Sequence, residues 1–235
     1  MKTQSRVIIH AGINFISAPA PLIGPQSLLL FQQAVMTHGL EFNRVETQKN
    51  SISLFRDNPS PLQITVNSHE AQMGQLLIIA PQPKTPLDLF IKEAEAAIQA
   101  YESVPVWQAP NRQIVHADAT IRQLYETTSQ HAFQELWEKR LGQPTQSLSV
   151  FGRPIRGGGL RFVMDPVNEE LPAQIEVKVE SFLSDTTKIF VETQFTWPIP
   201  ATPGTSFNVL ERIEKMNSYI EAHVQPFISG EKNDK

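Results

Sequence analysis

The chain contains no cysteine, and that single absence excludes disulfides, zinc-thiolate sites, iron-sulfur clusters and thiol nucleophiles together. Long apolar runs are missing too: stretches such as Leu28 to Phe31 and Leu76 to Ala80 fall far short of the ~20 residues that span a bilayer. The opening Met1-Lys2-Thr3-Gln4-Ser5-Arg6, followed by Val7-Ile8-Ile9-His10, lacks the apolar stretch of roughly 7 to 15 residues of a secretory signal. A cytoplasmic chain with no membrane partner is therefore expected. Excess positive charge is also lacking. The formal net charge is -4, with Lys and Arg dispersed, which disfavours nucleic acid as a partner.

Catalytic signatures are absent in the same way. None of His10, His38, His69, His116, His131 and His223 stands at the HExxH spacing, and there is neither a lysine-containing phosphate loop nor a GxSxG serine. No catalytic residue, metal or cofactor is expected, and the reading leans away from an enzyme.

What is present is a chain of 235 residues, 40% apolar, long enough for one large domain or two ordinary ones. Its prolines cluster at Pro19, Pro21 and Pro25, at Pro59 and Pro61, at Pro81, Pro83 and Pro86, and at Pro198, Pro200 and Pro203, punctuating the elements. A strand over Arg6 to Ser17 precedes a helix from about Gln26 to Thr37, whose Leu28, Phe31 and Val35 share one face and which Gly39 stops. Extended segments follow at about 41 to 47, 51 to 56, 62 to 67 and 74 to 80. In the third, Leu62, Ile64 and Val66 alternate with Gln63, Thr65 and Asn67, the period of a sheet wet on one side. Thr85-Pro86-Leu87-Asp88 reads as a capped helix start, carrying the stripe Leu87, Phe90, Ile91, Ala94, Ile98 and Tyr101.

Residues 105 to 112, rich in proline around Trp107, form a junction. Beyond it the order recurs: a strand near Gln113 to Tyr125, a helix near Ala132 to Leu141 ended by Gly142, then strands near Ser147 to Gly152, Gly159 to Met164, Gln174 to Leu183 and Thr187 to Trp197. A last helix, Asn208 to Ile228, carries Ile213, Met216, Ile220, Val224 and Phe227 on one stripe. Local echoes keep register: Ile9-His10-Ala11 with Val115-His116-Ala117, Leu62-Gln63-Ile64-Thr65-Val66 with Ala173-Gln174-Ile175-Glu176-Val177, and Ile98-Gln99-Ala100-Tyr101 with Ile220-Glu221-Ala222-His223.

The expected fold is α+β: two pseudo-repeats of strand, helix, three to four antiparallel strands and helix, with the helices on one face of a mainly antiparallel sheet. The halves are 1 to 104 and 113 to 228, with a frayed tail from 229 to 235. They either join edge to edge in one sheet or pack as separate lobes. A joined sheet resembles the saddle topology of TATA-binding protein, a likeness of topology that implies no shared activity.

The candidate ligand residues lie in Phe151-Gly152-Arg153-Pro154-Ile155-Arg156-Gly157-Gly158-Gly159-Leu160-Arg161-Phe162. Here Arg153, Arg156 and Arg161 flank Gly157, Gly158 and Gly159, so guanidinium groups and backbone amides are able to converge on a phosphate or carboxylate. The bland alternative is a flexible hairpin whose glycines supply unusual turn geometry. His10 and His116, at equivalent positions, suggest a pair meeting across the halves, with Asp118 on the same strand face as His116. The carboxylate pairs Glu93 with Glu95, Glu169 with Glu170 and Glu211 with Glu214 read as solvated surface. Phe190 falls opposite Ile189 and Val191, among Lys188, Glu192 and Gln194, and marks either a partner surface, a homodimer contact included, or a covered second face.

Gly159-Leu160-Arg161-Phe162, the two strands after it and a final helix ending in Ile220-Glu221-Ala222-His223-Val224-Gln225-Pro226-Phe227 arrive in a familiar order. Over its last third the chain resembles an uncharacterised, sporadically distributed family of bacterial proteins, a resemblance that implies no function and supplies no catalytic residues. The leading expectation is a non-enzymatic binding or assembly module for a protein, peptide or small ligand. The alternatives are an enzyme or sensor for an anionic small molecule held by the three arginines, and RNA binding on the open sheet.

Overall fold

The computed structural model describes residues 1–69, 72–83, 87–109, 112–167, 173–197 and 208–230. The elements run β1 (Lys2–Ala18), α1 (Pro25–Thr37), β2 (Arg44–Gln48), β3 (Ser51–Arg56), β4 (Leu62–His69), β5 (Met73–Pro81), α2 (Leu87–Ser103), β6 (Gln113–Glu126) and α3 (Ala132–Gln134). They continue with β7 (Gly159–Met164), β8 (Gln174–Ser181), β9 (Lys188–Trp197), α4 (Val209–Tyr219) and α5 (Gln225–Ser229). The strands form one antiparallel nine-stranded sheet in the order β2-β3-β4-β5-β1-β6-β9-β8-β7. Of the two arrangements left open by the sequence, the continuous sheet is the one observed. The two longest strands, β1 and β6, pair along its middle with Ile13 opposite Ala119.

Alternation along each strand divides the sheet into a dry and a wet face. Ala11, Ile13 and Phe15 of β1, Ile64 and Val66 of β4, and Ala119 and Ile121 of β6 are buried in one core with Phe31 and Val35 of α1, Ile91 and Ala94 of α2, and Ile213 and Met216 of α4. The helices thus lay their apolar stripes on one side. The other side carries Gln63, Thr65, Asn67, Gln75, Asn14, Asp118, Gln194 and Glu176, brought into line by the strand register.

The junction is packed tightly. Pro105–Trp107 forms a 3-10 turn, and Trp107 is 2% exposed, below Val104 in the core. Pro110 and Asn111 lie outside the described residues, as do Thr85 and Pro86 of the expected cap, Glu169 and Glu170, and tail residues 231 to 235.

Three expected elements are corrected. The strand expected over Ser147 to Gly152 is a 3-10 helix, Thr145–Phe151, with no side chain buried. Its Ser147 hydroxyl bonds the Pro144 carbonyl at 2.8 Å and its Thr145 hydroxyl bonds Glu138, and such local bonds compete with a sheet ladder. The helix expected over Ala132 to Leu141 is one turn of α-helix that widens into a π-helix, Glu135–Arg140.

The last helix also passes through a π segment, Ile220–Val224, just before Pro226. Proline has no N–H to give and clashes with the carbonyl one turn back, and the wider turn absorbs both defects. The stripe therefore ends on buried Ile228, whereas Phe227 is 36% exposed and stacks edge-on against Phe162 at 5.3 Å.

Among the described residues no helix is long and apolar enough to cross a membrane.

Candidate functional site

The wet face is crossed by a chain of side-chain hydrogen bonds. Asn67 Nδ2 donates to Gln75 Oε1 at 2.9 Å, Gln75 Nε2 to Asn14 Oδ1 at 2.8 Å, and Asn14 Nδ2 to Asp118 Oδ2 at 2.8 Å. Asp118 also lies 2.9 Å from His116 Nε2 and accepts from Gln194 Nε2 at 3.4 Å. Toward β7 the chain becomes ionic. Arg122 and Lys178 each bind Glu192 at 2.6 Å, Lys178 reaches Glu176 at 3.1 Å, and Arg161 binds Glu176 at 2.6 Å. Burial would push the Glu192 carboxyl up, yet Lys178 and Arg122 outweigh it and hold it below the usual range. Each of these charges is matched, so the face is a cross-strand brace.

His10 and His116 do not meet. His10 faces Arg122 and His116 faces Ile16, which sets them about 20 Å apart along the strands at ~3.3 Å per residue. The His10 ring lies over Gly12, where a Cβ would sit 2.9 Å from Nε2. Burial first, and then the nearby Arg122, lower its pKa to about 4, so it is neutral at pH 7. Among the described residues no group of three His, Asp or Glu side chains is placed to hold a metal ion.

The arginine-glycine segment is divided by the fold. Arg161 belongs to the ionic brace, paired to Glu176. Arg153 and Arg156 are exposed, and neither forms a hydrogen bond or ion pair among the described residues. Gly157, Gly158 and Gly159 do not supply turn geometry, since the left-handed glycine here is Gly152, with φ 65°. They are small because neighbours press on them: an added Cβ would lie 2.4 Å from Ser181 Oγ at Gly157, 2.6 Å from the Phe133 ring at Gly158 and 2.6 Å from the Val179 carbonyl at Gly159. Gly158→Val should accordingly cost about 1–3 kcal/mol by overpacking and displace the Phe133 ring. Urea denaturation and near-ultraviolet circular dichroism would measure both, and a wild-type spectrum and midpoint would refute it.

Phe133 is one wall of a surface groove of about 890 Å³. The α3 side supplies Phe133, Trp137 and Glu138, and the 3-10 segment and its exit supply Leu148, Arg153 and Ile155. The Phe133 and Trp137 rings stack with centroids 5.8 Å apart and planes tilted 31°. Trp137 Nε1 donates to the Pro144 carbonyl at 3.3 Å, which fixes the indole against the opposite wall. Hydrogen bonds from Thr145 and Gln134 hold the Glu138 carboxyl below its usual range. The groove thus offers an aromatic shelf flanked by an ionised carboxylate and a guanidinium with no ion pair among the described residues, a combination suited to holding a chain segment by stacking and charge.

Of the candidate ligand residues Arg153, Arg156, Gly157, Gly158, Gly159 and Arg161, the groove contains Arg153 alone, with Gly152, Pro154 and Ile155 of the same segment beside it. Trp137 stands out in the sequence only as one of several aromatics late in the chain, and Phe133 and Leu148 were missed, because the pattern that would have marked them, a shared wall, depends on residues 145–151 not being a strand. Phe190 lies on the wet face, half-buried between Leu124 and Glu180 in the register. Glu93 is a further correction to the sequence reading. Its side chain is 12% exposed and pairs with Arg56 at 2.6 Å, a part-buried ion pair between α2 and β3.

Compared with known proteins, the sequence matches no protein-family model, and no curated protein is significantly similar to it.

Proposed function

We propose that the chain is a non-enzymatic binding module, built by internal duplication, that holds an extended peptide segment of a partner protein in the Phe133–Trp137 groove. The observation carrying this reading is the groove's composition: a stacked aromatic shelf with Arg153 and Glu138 at its margins. A groove with charges of both signs and apolar walls fits a polypeptide better than a compact anion.

The sheet register supports the duplication. Equating His10 with His116 equates Ala11 with Ala117, whose partners are Ala80 and Trp197. The next residues inward, Ile79 and Thr196, face Gln63 and Gln174. Those two positions are the ones aligned independently by the Leu62-to-Val66 and Ala173-to-Val177 echo. One step further, Ile64 faces Leu54 and Ile175 faces Met164, which makes β7 the counterpart of β3 and leaves β2 without one.

A thermal-shift panel of short peptides, with Trp137 fluorescence as a second readout, tests the reading. Peptides combining an aromatic with an acidic residue should raise the melting temperature and shift Trp137 emission, and Trp137→Ala should abolish both effects. No response to any peptide would sink it. A second reading rests on the exposed Arg153 and Arg156, which have no ion pair among the described residues: a phosphate or carboxylate sensor. It would be favoured if inorganic phosphate alone stabilised the chain and Arg156→Ala removed the effect. RNA binding is weakened by the pairing of Arg122, Lys178 and Arg161 with carboxylates on the open face.

A further inference from the structure

The two ends of the sheet are built differently. At one end β2 is short and polar: all five of its residues are exposed, Arg44 and Glu46 pair along it at 3.0 Å, and Lys49 follows it. Charge and brevity are the usual defences of a strand edge. At the other end β7 reads Gly-Leu-Arg-Phe-Val-Met. Val163 is 54% and Phe162 38% exposed, and Phe227, at 36%, lies against Phe162 on the helix side. Apart from Arg161, this edge is apolar, and among the described residues no strand pairs with it.

Its outward hydrogen-bonding groups have no partner among the described residues either. Ser181 N donates to the Gly158 carbonyl at 3.0 Å, so by the alternation of an antiparallel ladder Leu160, Phe162 and Met164 bond inward to β8 while Gly159, Arg161 and Val163 direct their N–H and C=O groups outward. Among the described residues nothing pairs with those groups.

We infer that β7 pairs with β7 of a second copy of this chain, antiparallel about a two-fold axis at Phe162, extending the sheet through the dimer. The strand's own sequence is compatible with that partner and fixes the register of the pairing. A two-fold axis normal to the sheet keeps wet face on wet face. With Phe162 opposite its own copy, Arg161 faces the partner's Val163 and Leu160 faces the partner's Met164. The outward groups of Arg161 and Val163 then meet as hydrogen-bonded pairs, and Phe162 falls at a non-bonded pair, where side chains approach closest. Moving the axis to Arg161 would set two like charges opposite one another, which is destabilising. Arg161 keeps its bond to Glu176 throughout. A strand of six residues is too small alone for an interface of about 1,200 Å², and the Phe162–Phe227 lip supplies further apolar area beneath it. This inference is independent of what fills the groove.

Sedimentation velocity from about 1 to 100 µM should show a monomer-dimer equilibrium. Val163→Lys, which sets a lysine against the partner's Arg161, should weaken dimerisation about tenfold or more, whereas Val163→Glu, facing the same arginine, should not. Circular dichroism on both variants checks that the exposed substitution leaves the fold intact. Because the chain has no cysteine, Phe162→Cys introduces a lone thiol opposite its own copy at ~4.5 Å between Cα atoms, within disulfide range. Mild oxidation should link that variant into dimers and leave Leu160→Cys unlinked. A monomer at every concentration overturns the proposal, as does a dimer indifferent to Val163→Lys or one that cross-links through Leu160→Cys and not Phe162→Cys. A foreign strand, or residues 145–151 folding onto this edge, would appear as the first of these outcomes.

Discussion

Trp107→Ala is expected to destabilise the protein by about 3–5 kcal/mol, a large part of the roughly 5–15 kcal/mol that holds a domain folded. The indole sits in the turn between the two long α+β stretches and is 2% exposed. Its ring lies 5.0 Å from Phe31 of α1 and 5.3 Å from Tyr101 of α2, and its Nε1 donates to the Leu22 carbonyl at 2.8 Å. Truncation therefore opens a cavity between two helices and removes the bond to the Leu22 carbonyl. Trp107→Phe retains most of the packing and loses the bond, a loss of about 1 kcal/mol. Urea midpoints for the pair separate the two contributions. A change of about 4 kcal/mol corresponds to a fall of roughly 8–16 °C in melting temperature for a chain of this size. An alanine variant that melts with the wild type would mean that the junction is a linker and not part of the core.

The composition around Trp107 gave no hint of this. Prolines at 105 and 110 announce a break in the helix, but a single tryptophan has no period from which burial is readable. Where a period exists, the sequence was legible. The alternation in Leu62 to Val66 and the stripe from Phe90 to Tyr101 mark faces that are buried as expected. Residues 145–151 mislead for a physical reason. Leu148 and Val150 alternate with serines as a strand would, yet alternation records only which side chains would share a face of a strand, and the Ser147 and Thr145 hydroxyls direct the local hydrogen bonds to a 3-10 turn. Glu93 misleads in the opposite sense: its place on the polar side of α2 is right, but Arg56 comes from a strand far away in sequence to pair with it. The groove combines both difficulties, because its walls are an unforeseen π-helix and an unforeseen 3-10 segment. The arginine-glycine stretch was visible as unusual, whereas the pressure of Phe133 and Ser181 on its glycines is a tertiary fact.

Glu135→Ala should be comparably damaging, by about 3–5 kcal/mol, since it removes one partner of a buried charge pair. Glu135 Oε1 binds the Met1 ammonium at 2.7 Å, and neither side chain is accessible to solvent. Its other oxygen accepts from the Thr128 and Ser129 N–H groups at 2.7 and 3.2 Å. Arg140 stands 3.7 Å away and donates onward to the Ile228 and Ser229 carbonyls at the end of α5. One carboxylate thus ties together the start of β1, the turn after β6, the π-helix and the last helix. Burial alone would raise its pKa, but the ammonium and the Thr128 N–H outweigh it and hold the carboxyl below its ordinary value near 4.5.

The sign of the pH dependence follows. The folded state binds this proton less readily than the unfolded state, so the stabilisation is complete above the unfolded pKa and is lost as pH falls through the lower, folded value. Urea midpoints should therefore fall in acid for the wild type. Glu135→Gln keeps an acceptor for the backbone donors but cannot neutralise the ammonium or titrate, so its midpoint should start lower at pH 7 and lose less on acidification. Parallel midpoint curves for wild type and Glu135→Gln between pH 7 and about 3 would show that this carboxylate is not the group that acid releases.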